Sequence, residues 1–129
     1  MSNRKIINTV NAPQAIGPYS QAIKINNLLF TSGQIPLLPD SGEIVSNDFS
    51  EQVEQCLKNI EAILVEESLN LDSIVKLTVF LVDLSDFDLL NEQFVKYFGH
   101  RYPSRSVVEV SRLPKDVKVE IEAICCYDK

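Results

Sequence analysis

Near the C-terminus, Val117, Val119, Ile121, Ala123 and Cys125 alternate onto one face, with Lys118, Glu120 and Glu122 between them. A period of two with one apolar side marks a strand in a sheet covered on one face. The rest of the chain must therefore supply a covering layer. Val53, Cys56, Leu57, Ile60, Ile63 and Leu64 form an apolar stripe at helical spacing. They predict a helix over Phe49–Leu69, opened by Asp48 and Glu51 in the pattern of a capping box. Phe87, Leu90, Phe94 and Tyr97 predict a second helix, with Ser85 as its cap and Gly99 just past its end.

The remaining segments read as strands. Lys5–Asn8 is a short first strand. The loop Asn11–Ala22, with two prolines and a glycine, leads into a second, which ends at the turn pair Asn26-Asn27. Leu28–Gln34 is a third, and Pro36–Asp48 is a loop. Ile74–Val82 follows, with Val75, Leu77, Val79 and Leu81 on its apolar face. Pro103–Val110 and Val117–Cys126 complete the set. The order β-β-β-α-β-α-β-β predicts an α+β domain over residues 1–129, with one sheet and both helices on one face. The opposite face carries Phe80, Val82 and Ile124 among Thr78, Lys118, Glu120 and Glu122. That much uncovered apolar surface predicts self-association, and clefts at subunit boundaries are natural ligand sites.

A net charge of −6 and the lack of a basic stripe argue against a nucleic-acid partner. No apolar run is long enough to span a membrane, and the first residues lack the apolar core of a secretory signal. Three cysteines, Cys56, Cys125 and Cys126, make a poor disulfide framework. Reduced thiols in a cytoplasm are expected. His100 is the only histidine, and no Cys/His cluster has metal-ligand spacing, so no metal is expected. His100 suits a role at the helix end, against the dipole. Cys56 and Cys125 fall on apolar faces; Cys126 points the other way.

Five polar residues are candidates for chemistry, each with two readings. Arg105, in PSRSVVEV, is a surface strand residue paired with a carboxylate, or a bidentate grip on a substrate carboxylate. Glu120 is a solvated strand position or a general base for water. Tyr19 is a loop aromatic packed on the core or a pocket wall. Ser32-Gly33 ends a strand or lets a ligand approach the backbone. Asn91 is an exposed helix position or part of a pocket.

Four segments together resemble the RidA family: AIGPYSQAI, FTSGQIP, VKLTVFLVDLSDFDLLNEQF and PSRSVVEVSRLPKDVKVEIEAI. The resemblance covers about Ile6 to Ile124. It implies a chorismate-mutase-like fold and a homotrimer with pockets between subunits. It also implies a reaction without cofactor: 2-iminobutanoate or 2-iminopropanoate plus water gives the 2-keto acid and ammonia. In that reading Arg105 holds the carboxylate and Glu120 activates water. Backbone groups around Val107, with Ser32 and Gly33, bind the nitrogen or polar edge, and Tyr19 and Asn91 line the cavity. Many members carry cysteine where this chain has Val107, so a thiol role is absent here. The connection Gly99–Pro103 looks shorter than in many members. The competing reading is a non-catalytic trimeric module that binds a small carboxylate; endoribonuclease or translation-inhibitor activity is a weaker third.

Overall fold

A computed structural model describes residues 3–128. Strands β1 (Arg4–Ile7), β2 (Ala22–Ile25) and β3 (Leu28–Thr31) precede helix α1 (Phe49–Glu66). Strand β4 (Ile74–Leu81), helix α2 (Phe87–Phe98), β5 (Ser104–Glu109) and β6 (Val119–Cys126) follow. The expected order is the one observed.

All six strands form one sheet in the order β1-β2-β3-β6-β4-β5. The first three form a meander, and the last strand inserts antiparallel between β3 and β4. Only β4 and β5 pair in parallel, joined by α2. β5 is thus an edge strand, with one row of backbone groups unpaired within the subunit.

The alternation in β6 works as the sequence indicates. Val119, Ile121, Ala123 and Cys125 are buried, together with Leu77, Val79 and Leu81 of β4. They share one core with Val53, Cys56, Leu57, Ile60, Ile63 and Leu64 of α1 and with Leu90, Phe94 and Phe98 of α2. Both helices therefore lie on one face. The other face exposes Phe30 and Val108 and leaves Phe80 and Ile124 half-buried, the uncovered apolar surface expected there.

Several local details differ from the sequence reading. Val75 is exposed, and Ile74 is buried in its place. The pairing with β6 jumps from Ile74↔Cys125 to Lys76↔Ile124. Val75 is the extra residue of a bulge, which inverts the alternation at that end. The third strand stops at Thr31, not Gln34. Between Phe30↔Ile124 and Gln34↔Ile121, three residues oppose two. Thr31 Oγ1 accepts from the Ala123 N–H at 3.0 Å, and Ser32 and Gly33 bulge out of the ladder. Val117 and Lys118 precede β6; the Lys118 ammonium donates to the Asn47 carbonyl at 2.7 Å.

The helix ends also differ in part. Asp48 caps α1 by accepting from the Glu51 N–H at 2.9 Å. The reciprocal half of the box goes to Ser46, whose hydroxyl accepts from the Asp48 N–H at 3.1 Å. α1 ends at Glu66, before Ser68 turns to a φ of 59°. Ser85 is not a cap. It lies in a 3₁₀ turn, Leu84–Asp86, capped by Asp83, which accepts from the Ser85 N–H at 2.9 Å. Gly99 ends α2 with a right-handed φ of −55°. His100 meets Asp72 at 3.1 Å rather than acting on the helix end alone. Phe98, outside the predicted stripe, is buried, while Tyr97 is half-buried.

The Asp48 cap is testable. Asp48→Ala strands one N–H donor and should destabilise the chain by about 1 kcal/mol, lowering Tm by about 4 °C in a thermal melt.

Candidate functional site

Arg105 stands on the edge strand β5, in register with Leu77. That residue faces the helices, so the arginine side chain reaches back over α2. Its Nη2 donates to Asn91 Oδ1 at 2.7 Å. Its guanidinium carbon lies 5.2 Å from the Phe87 ring centroid and 4.9 Å from that of Phe94. No carboxylate among the described residues pairs with it. Burial pulls its pKa below the ordinary value. The surface ion-pair reading of Arg105 therefore finds no partner among the described residues. Asn91, Phe94, Val95, Tyr102, Pro103 and Arg105 line a cavity of about 350 Å³. A partly desolvated cation with free donors faces a mainly apolar cleft, which suits a small organic anion.

Val107 lies two residues on and is also half-buried over the helices. The Val110 N–H bonds to the Leu81 carbonyl at 2.8 Å. Successive strand residues aim their backbone groups to opposite sides, so the N–H and C=O of Val107 face the free edge. They are available to a ligand or a neighbouring chain, whatever side chain stands there.

Glu120 sits on the other face of the sheet, in register with Phe80. It shares a second cleft of about 360 Å³ with Ile16, Tyr19, Ser32, Gly33, Ile35 and Pro114. The carboxylate rests against the Gly33 Cα; a β-carbon at position 33 would overlap it. The glycine is there for close approach, by the chain's own Glu120 carboxylate. Burial raises the Glu120 pKa above the ordinary carboxylate value, and Glu122 raises it further. Ser32 braces this cleft: its hydroxyl donates to the Ser20 carbonyl at 2.6 Å and its N–H to the Gln21 carbonyl at 2.9 Å. The Tyr19 loop is held from below by buried Gln21, whose amide bonds the backbone of Thr9, Ala12 and Pro13. Tyr19 is half exposed and walls the cleft.

The predicted residues thus fall into two groups. Arg105, Asn91 and Val107 come together at the sheet edge; Tyr19, Ser32, Gly33 and Glu120 come together on the opposite face. Along β4 the rows of Arg105 and Glu120 are three residues apart, and β5 and β6 flank β4. That separates their backbones by roughly 10 Å in each direction before the opposed faces are counted. Within one chain they stand in two separate clefts. The sequence reading missed the rings around Arg105. Phe87 and Phe94 were expected only as core stripe, but Phe87, Asn91 and Phe94 at i, i+4 and i+7 mark one helix face that also carries a polar residue. Ile16, Ile35 and Pro114 carry no comparable signal.

Residues 9–127 match the Endoribonuclease L-PSP family. The chain belongs to that family, the one to which RidA and YjgF belong. A RutC family protein of Pyrococcus abyssi is 53% identical over 121 residues, covering 94% of this chain and 95% of the relative. The Escherichia coli protein named reactive intermediate deaminase TdcF is 49% identical over 124 residues, covering 94% of this chain and 95% of its own. The crystal structure of E. coli TdcF with bound serine superposes with a TM-score of 0.91 at 48% identity, covering 96% of this chain and 99% of that one. The α+β architecture expected from the resemblance is the family's fold. Among the described residues no helix is long and apolar enough to cross a membrane.

Proposed function

We propose that this chain hydrolyses reactive 2-imino acids, such as 2-iminobutanoate and 2-iminopropanoate, to 2-keto acids and ammonia. The reaction site is closed between copies of the chain, so that the Arg105 half-site of one copy meets the Glu120 half-site of the next. One observation carries this reading: a partly desolvated guanidinium with no carboxylate partner among the described residues in one cleft, and a carboxylate of raised pKa in another, each lacking what the other supplies.

The chemistry follows from the two groups. Arg105 takes the substrate carboxylate by two charge-assisted hydrogen bonds. The backbone of Val107, at the free edge, and Ser32-Gly33 bind the nitrogen and the polar edge of the substrate. Tyr19 and Asn91 line and brace the cavity. Glu120 accepts a proton from water as its oxygen adds to the imine carbon, giving a carbinolamine. The protonated imine nitrogen takes up the C=N electron pair in that step. Glu120 then returns its proton to this nitrogen, and the C–N bond breaks as the hydroxyl oxygen gives its own proton to the Glu120 carboxylate, so that ammonia leaves as the ketone forms. An imine is already a good electrophile, so the protein contributes mainly position and one base. The serine bound to TdcF is, likewise, a small molecule bearing a carboxylate.

Two half-sites on different parts of one surface suit a head-to-tail ring, in which every copy gives one half to each neighbour. The family resemblance supplies the number three. The uncovered face with Phe30, Phe80, Val108 and Ile124 supplies the apolar area.

The test generates 2-iminobutanoate in situ and lets semicarbazide compete for it. The protein should speed keto-acid release and cut semicarbazone formation. A spontaneous rate unchanged by the protein would sink the enzymatic reading. Binding of 2-oxobutanoate without turnover would then favour the carboxylate-binding module. A stable monomer in light scattering would overturn the shared site.

A further inference from the structure

We infer that Phe87 is a positioning residue, which holds the Arg105 guanidinium by the face of its ring and leaves that charge free for a substrate. The inference rests on the reading of Arg105 as the carboxylate clamp and adds the means by which the clamp is held.

An arginine that must grip a ligand has a conflict to resolve. Its long side chain needs fixing in one geometry, and a carboxylate is the strongest fixer. That same carboxylate would neutralise the cation and occupy the donors meant for the ligand. The structure uses neutral partners instead. Asn91 Oδ1 accepts one N–H at 2.7 Å. The Phe87 and Phe94 rings lie 5.2 and 4.9 Å from the guanidinium carbon. Ring faces are electron-rich and attract a cation without taking its charge or its N–H groups. All three partners lie on one face of α2, at i, i+4 and i+7, so the helix presents the holder as a unit.

The two rings differ in what else they do. Phe94 is 4% exposed and packs against Phe98, with centroids 5.3 Å apart. It is part of the core, and its loss would confuse stability with positioning. Phe87 is 38% exposed at the first turn of α2. A core-filling role would not leave a phenylalanine so open beside a cation. Its ring can be changed with little effect on the packing beneath.

Phe87→Leu keeps apolar bulk and removes the ring face; Phe87→Tyr keeps the ring face. Titration calorimetry with 2-oxobutanoate, a stable carboxylate probe, should show binding weakened about fivefold to tenfold in the leucine variant. The tyrosine variant should stay within about twofold of wild type, and both should melt within a few degrees of it. In the semicarbazide assay KM should rise with the weakened binding, while kcat and its pH profile stay unchanged. Wild-type affinity in Phe87→Leu overturns the inference, as does a tyrosine variant as weak as the leucine one. A wild type that does not bind 2-oxobutanoate also overturns it. A wild type that binds 2-oxobutanoate but hydrolyses no imine defeats the deaminase reading alone, and the affinities of the two variants still decide the role of Phe87.

Discussion

Arg105→Ala should lower kcat/KM for 2-iminobutanoate by about 100- to 1,000-fold while leaving the chain folded. Hydrogen bonds to charged groups contribute about 1.5–3 kcal/mol each, and a bidentate grip makes two of them. A loss of about 3–4 kcal/mol is two to three powers of ten in rate. The effect on stability should be small. Arg105 has no carboxylate to orphan, and burial already disfavours its charge. What the alanine loses in ring contacts, it partly regains in relief from desolvation. Arg105→Lys separates charge from shape. It keeps the cation but not the planar fork, so it should recover only part of the activity. The semicarbazide competition assay and a thermal melt measure both effects. An alanine variant within threefold of wild type would show that the carboxylate is held elsewhere.

The family resemblance already implies Arg105 as the carboxylate clamp, but how the chain holds that cation is not legible in the sequence, and the reason is physical. Alternation in PSRSVVEV places Arg105 on a face but cannot tell whether a carboxylate waits there. Only the packing of α2 on β5 shows that Asn91, Phe87 and Phe94 surround the cation. The long-period patterns were legible because burial acts on whole faces. The β6 alternation and the α1 stripe each commit many residues to one side, and the structure obeys both. Bulges are not legible in this way. Val75 is as apolar as Ile74, so nothing local says which of them faces the core; register with β6 decides it. Ser32-Gly33 was readable as a strand end or a close approach, and it is both, because the bulge that ends pairing also seats the Glu120 carboxylate. Cap details were missed for a similar reason. Asp83, Ser85 and Asp86 are all competent caps, and the intervening 3₁₀ turn chooses among them. The placing of Arg105 and Glu120 in separate clefts of one chain was the least legible of all. Sequence distance between Arg105 and Glu120 says nothing of sheet faces, and β6 must insert beside β4 before the two are seen to part.

Glu120→Gln should cost about 100- to 10,000-fold in kcat, the usual share of a positioned general base, with little change in 2-oxobutanoate affinity. The substitution keeps the shape that rests on Gly33 and removes only the basic oxygen. The wild-type pH profile should carry the signature of the same group. A base acts when deprotonated, so activity should fall as pH drops through the Glu120 pKa. Because burial and Glu122 raise that pKa, the acid limb should lie at higher pH than an ordinary carboxylate would give, and the glutamine variant should lack it. Stability must move the opposite way. A carboxyl whose folded pKa exceeds its unfolded one binds its proton more tightly in the native state. Its favourable contribution is fully present below the unfolded pKa and is lost as pH rises through the folded one. Glutamine cannot ionise, so Glu120→Gln should melt higher than wild type at neutral pH and converge with it in acid. Activity lost and stability gained in one substitution would mark Glu120 as a carboxylate held for chemistry. A variant equally active, or one destabilised at neutral pH, would instead make it a structural strand residue.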